Sequence, residues 1–126
     1  ADDYHPPANV EKMRSGRPLD DADREPWLRS LHALLKDAEA PLVLACSALK
    51  AAYRDTIRGD LTDVLFVHLY APYEAIAERL QQRKGHYMPA SLLESQFNTL
   101  ELPTDALTID CLLPPGEIVN RVLATI

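Results

Sequence analysis

The stretch "DVLFVHLYAPYEAIAERL" (63–80) changes its apolar rhythm halfway along. Residues 63–70 are almost continuously apolar, the pattern of a strand covered on both faces. Pro72 suits the first turn of a helix, and Tyr73, Ile76, Ala77 and Leu80 then recur at helical spacing and are expected to turn inward. The strand pattern returns in "PLVLACS" (41–47) and "ALTIDCLL" (106–113). Helical patterns fill the intervals. After Asp20 and Asp21 as candidate caps, Trp27, Leu28, Leu31, Leu34 and Leu35 mark one helix face. A second helix is predicted from about Ala48 to Arg58, with Ser47 as its cap and Gly59 closing it. Residues 90–100 and 116–126 supply two more. Strand alternating with helix predicts an α/β class, with buried parallel strands and right-handed crossovers.

The bulk properties are compatible with that class. At 126 residues the chain is read as a single domain (1–126), long enough to bury a core. Apolar residues make up 47% and charged residues 25%, as in ordinary soluble globular chains. No apolar run approaches the ~18 residues of a membrane span, and no membrane partner is expected. The start, "ADDYHPPANV", is acidic and proline-bearing, unlike a secretory signal, and carries no initiator Met. Cys46 and Cys111 lie in apolar runs, read as small buried hydrophobes, and zinc-ligand spacing is absent, so a reducing, cytoplasmic setting is expected. A formal net charge of −6 argues against a nucleic-acid binder. Any anion site must be local.

Several residues have chemistry to offer. Arg79 and Arg83 share a helix face that borders the Ile76–Leu80 stripe. Guanidinium forks suit phosphate oxygens, and Gly85 opens a loop, "KGHYMP", able to close over a ligand. Pairing of Arg79 with Glu78 or Glu74 on a solvated helix explains the same pattern. Asp2, Asp3 and His5 precede a proline pair; such groups hold magnesium or accept a hydroxyl proton, and equally well cap a helix. Ser47 ends an expected strand, with Lys50 and Arg54 on the helix that follows, a place where α/β proteins bind anions. Ser47 also reads as a simple cap and Lys50 as a solvated charge, whereas Arg54 beside Tyr53 suits a carboxylate. His32, His68 and Trp27 read as structural. The four glycines, at 16, 59, 85 and 116, exclude a G-x-x-x-x-G-K-[ST] phosphate loop in this chain.

Taken together, "DDYHPPANVEKMRSGRPLDDADREPWL", "LACSALKAAYRD", "ERLQQRKGHYMPASLLESQFNTLE" and the terminal "TID" resemble the gluconokinases of the P-loop kinase superfamily, in the same order and over essentially the whole chain. The resemblance implies a three-layer parallel sheet with helices on both faces and a short lid, about 79–90. It implies transfer of the γ-phosphoryl group of ATP, with Mg2+, to the 6-hydroxyl of D-gluconate, giving 6-phosphogluconate. By the same resemblance Asp2 is the aspartate of the G-D-x-x-H-P motif, near the accepting hydroxyl and the metal, and His5 is its histidine. Lys12 falls in the short helix on the substrate side, Arg54 is a candidate for the gluconate carboxylate, and His86 and Gln96 are further substrate-side candidates. Arg79 and Arg83 correspond to lid arginines that meet the nucleotide's transferring phosphoryl group. A homodimer is a possible assembly.

One departure stands out. Complete gluconokinases carry a first strand, a Walker A loop, a helix and a second strand before the position of Asp2, and Ala1 stands where the motif has glycine. The expectation is that these 126 residues are part of a longer enzyme and do not catalyse the reaction alone. Two other readings remain: an inactive remnant that binds a sugar acid or a partner chain, and a related P-loop kinase for another small substrate such as shikimate.

Overall fold

The computed structural model describes residues 1–83 and 90–126. The chain divides into two compact units, Ala1–Asp63 and Val64–Ile126.

The first unit is helical. A 3-10 turn, Asp2–Tyr4, leads into α1 (Pro7–Arg14), with proline in its first turn, followed by α2 (Asp21–Lys36) and α3 (Ala51–Arg58). Asp20 caps α2 in a full capping box: its side chain accepts from the Asp23 backbone amide at 2.7 Å, and the Asp23 carboxylate accepts from the Asp20 amide at 3.0 Å. The stripe expected on α2 is real, with Trp27, Leu28 and Leu31 buried. α2 packs on α3, which contributes Tyr53 and Ile57 to the core. Gly59 closes α3 with φ +54, and a Cβ there would stand 2.5 Å from Cε1 of His32. Only glycine leaves room for that ring, which bonds through Nδ1 to the Ile57 carbonyl at 3.0 Å.

The second unit has the α/β alternation. β1 (Val67–Tyr70) pairs in parallel with β2 (Leu107–Asp110), Val67 opposite Leu107 and Tyr70 opposite Asp110. Between them run α4 (Tyr73–Gln82) and α5 (Ala90–Thr99), which pack together, with Tyr73 edge-on to Phe97 at 5.4 Å between ring centroids. α6 (Pro115–Thr125) follows β2 and lies against it. Among the described residues of this unit, Ala71, Leu93 and Ile109 are the buried apolar ones.

Three expectations fail. Residues 41–47 form no strand, because a strand exists only through bonds to a neighbour and this run has no ladder among the described residues; Val43 is 97% exposed. The expected strands at 63–70 and 106–113 shorten to four residues each, and Leu69 and Tyr70 are exposed rather than covered. α3 begins at Ala51, not Ala48, and its N-cap is Lys50, not Ser47. Ala48 takes φ +36, outside helical space, and its carbonyl and that of Leu49 accept from Nη1 of Arg54 at 2.8 and 3.1 Å. The first turn is thereby held open.

Candidate functional site

In the first unit the motif residues converge on one corner. The Ala1 ammonium donates to the Ala45 carbonyl at 3.1 Å, and Nε1 of Trp27 donates to the Ala1 carbonyl at 2.8 Å. The His5 ring stacks on the Trp27 indole, with centroids 4.4 Å apart and planes 15° from parallel. Trp27, which reads as core in the sequence, is therefore also the wall that fixes His5.

Asn9, buried one helical turn after His5, settles the histidine's chemistry. Its Nδ2 donates to the Asp23 carbonyl at 2.7 Å and lies 3.3 Å from Nδ1 of His5. An amide nitrogen only donates, so Nδ1 accepts and the imidazole proton sits on Nε2. Burial against Trp27 and α1 lowers the His5 pKa; Asp2 nearby opposes this, while the charges of Arg24 and the N-terminus add to it. The neutral ring is favoured, and Nε2–H has no partner among the described residues. Asp2 itself is exposed, and its carboxylate is unbonded among the described residues.

Lys12 is committed elsewhere, to Asp23 at 2.5 Å. That hydrogen bond, with the Asp20 backbone amide, holds the Asp23 carboxyl below its usual range. Arg54 is only 9% exposed and spends Nη1 on the Ala48 and Leu49 carbonyls.

A second polar group lies at the α2–α3 contact. The Tyr53 hydroxyl donates to Oδ1 of Asp21 at 2.5 Å and accepts from Nη1 of Arg24 at 3.3 Å. Lys50 reaches the same Asp21 oxygen at 3.4 Å, and both cations sit over the Tyr53 ring, 5.6 Å away for Arg24 and 5.5 Å for Lys50. The Tyr53 and Lys50 hydrogen bonds lower the Asp21 pKa, and Asp21 in turn raises that of Lys50. Sequence reasoning missed Asn9 and Arg24. Asn9 was detectable as the residue four after His5 on a proline-started helix, whereas nothing local distinguishes Arg24 from other charges on α2.

In the second unit Arg79 and Arg83 lie on and just after α4. Nη1 of Arg79 donates to the Cys111 carbonyl at 3.1 Å, directly after β2. This is the carboxyl end of a parallel pair, the edge where such sheets bind anions. Arg83 is exposed at the C-cap of α4, and Gln96 is half-buried on α5. His86 lies outside the described residues, as does half of the expected lid, 84–89. No group of three or more His, Cys, Asp or Glu side chains is placed to hold a metal among the described residues.

No family model matches the chain. Individual proteins do. The gluconokinase of Gluconobacter oxydans (strain 621H) is 54% identical, the match covering 82% of this chain and 60% of the relative. The thermoresistant gluconokinase of Escherichia coli (strain K12) is 38% identical over 99% of this chain and 75% of its own length. The crystal structure of a gluconokinase from Sinorhizobium meliloti 1021 superposes with a TM-score of 0.84 at 42% identity, covering 98% of this chain and 72% of that one. The chain spans about 60% of the length of curated relatives such as the Gluconobacter enzyme. Its helices and small parallel sheet follow the fold of these kinases throughout. On these likenesses and the placement of "DDYHP", the chain belongs to the gluconokinase family.

Proposed function

We propose that this chain is the acceptor-side and lid portion of an ATP-dependent kinase that phosphorylates D-gluconate on its 6-hydroxyl. The observation that carries the reading is the corner at Asp2 and His5. A free carboxylate and a neutral imidazole with an unbonded Nε2–H are held there by Trp27 and Asn9. Asp2 orients the attacking hydroxyl and accepts its proton, and His5 donates from Nε2 to a neighbouring sugar oxygen. Lys12 and Arg54, already bonded to Asp23 and to the 48–49 carbonyls, support this side by holding their segments. Arg79 and Arg83 form the side that meets phosphate oxygens, and Gln96 and His86 are further candidates for the substrate side.

The fit to Mg2+ and ATP is partial. Magnesium is commonly held by one or two carboxylates plus phosphate oxygens, a role open to Asp2 without a larger cluster. When bound, the nucleotide and its metal supply the phosphoryl group and offset its charge. This sequence contains no glycine-rich loop to cradle the triphosphate, so Arg79 and Arg83 are the groups proposed to meet the phosphates. The free thiols of Cys46 and Cys111 suit a reducing cytoplasm, no described helix is long and apolar enough to cross a membrane, and a homodimer is the assembly to test by sedimentation.

The test uses the complete protein that carries this chain, in a coupled assay with gluconate and Mg·ATP. Turnover is expected, and Asp2→Asn is expected to lower kcat about 100-fold or more with a smaller change in KM. A wild-type protein that leaves gluconate untouched while phosphorylating a different acid or polyol defeats the substrate assignment.

A further inference from the structure

We infer that Arg24 is the residue that takes the substrate's carboxylate, a role that rests on the functional reading above. A gluconate-type substrate carries its anion at the end of the molecule opposite the accepting hydroxyl, so its site needs a cation beyond the Asp2–His5 corner. Arg54 is nearly enclosed, with its Nη1 committed to two backbone carbonyls. Lys12 is committed to Asp23. Arg24 is placed differently. It is close enough to His5 for its charge to act on that ring, it lies on the same helix as Trp27, and its side chain is one-third exposed. One donor, Nη1, is fixed by the Tyr53 hydroxyl, and the guanidinium rests over the Tyr53 ring. The carboxylate of Asp21 is 4.0 Å away, beyond hydrogen-bonding distance, and is already engaged by Tyr53 and Lys50.

Nε and Nη2 of Arg24 therefore have no partner among the described residues. Two adjacent donors on a guanidinium pre-oriented by an aromatic face form the fork that binds a carboxylate in bidentate fashion. Lys50, over the same ring, adds a second positive charge against the single negative charge of Asp21. The line from Asp2 through His5 to Arg24 then orders the substrate from its reacting hydroxyl to its acid.

The experiment measures steady-state kinetics and thermal unfolding on the complete protein carrying this chain, wild type beside Arg24→Gln and Arg24→Lys. Loss of a charge-assisted fork is expected to raise the gluconate KM about 10- to 100-fold in Arg24→Gln, with kcat within about 3-fold and the unfolding temperature little changed. Arg24→Lys keeps the charge but not the fork and is expected to fall between the two. An unchanged KM in Arg24→Gln, or a lowered unfolding temperature with KM and kcat retained, makes Arg24 a brace between α2 and α3 and overturns the inference. A wild-type enzyme inactive on gluconate overturns the functional reading instead, which separates the two failures.

Discussion

The helical corner of the first unit and the strand pair of the second spend similar apolar residues very differently. In the corner, Trp27, Leu28 and Leu31 meet Tyr53 and Ile57, and all five are buried. Around the strands, Leu69, Tyr70, Val119 and Leu123 remain exposed, and among the described residues of that unit only Ala71, Leu93 and Ile109 are enclosed apolar side chains. A helix satisfies its own backbone and needs one partner face, which α3 gives α2. A strand needs partners on its edges and its faces, so a short run of apolar residues specifies it less completely. The polar contacts differ in reach: the corner holds the Asn9 bridge and the Tyr53–Asp21 bond between elements, whereas among the described residues of the strand unit the Arg79 bond joins α4 to the end of β2 and the Arg121–Glu117 pair stays within α6.

The sharpest way to break the contrast is Leu31→Ala. Leu31 is 0% exposed at the centre of the α2–α3 contact, and its truncation is expected to cost about 2–5 kcal/mol in a denaturant-unfolding experiment. A cost near zero means the corner is no better packed than the strands. A moderate effect is expected from pH. The pKa of His5 is lowered in the folded state, so below about 6.5, where a solvated imidazole takes a proton, the unfolded chain binds protons more readily and stability falls. Above that value both states are neutral and the dependence levels off. Melting temperatures between pH 5 and 7.5 check this, and His5→Gln should flatten the slope in that window. Asp21 and Asp23, with lowered values, act in a more acidic range, their contribution being lost as pH drops below the usual carboxylate values. The smallest effect belongs to the second unit: Leu123→Ser on exposed α6 should change stability by no more than about 0.5 kcal/mol. A large loss would show that α6 is covered in solution.

The sequence was most legible where a pattern is local. The α2 stripe, its aspartate cap, the proline start of α4 and the glycine stop of α3 are each set by neighbours within a turn or two. Residues 41–47 misled because apolar continuity reports a tendency to be covered, not the presence of a covering strand. Ser47 misled for another reason: Arg54, several residues on, bonds the carbonyls of Ala48 and Leu49 and delays the helix. The site divided in the same way. Asp2 and His5 were proposed from a linear motif, but Arg24 is proposed from its position beside Tyr53, twenty-nine residues away in the chain. A sequence read one segment at a time cannot display that adjacency.

The parallel register has a consequence for the order of assembly. Val67 faces Leu107 across about forty residues, with two helices in between. α2 and α3 can close on each other as soon as Arg58 has been made, whereas β1 has no ladder until β2 follows it from the ribosome. During synthesis the Asp2–His5 corner would thus stand ready while Leu69 and Tyr70 are still waiting for their neighbour, and that interval is when a chaperone would have most to hold.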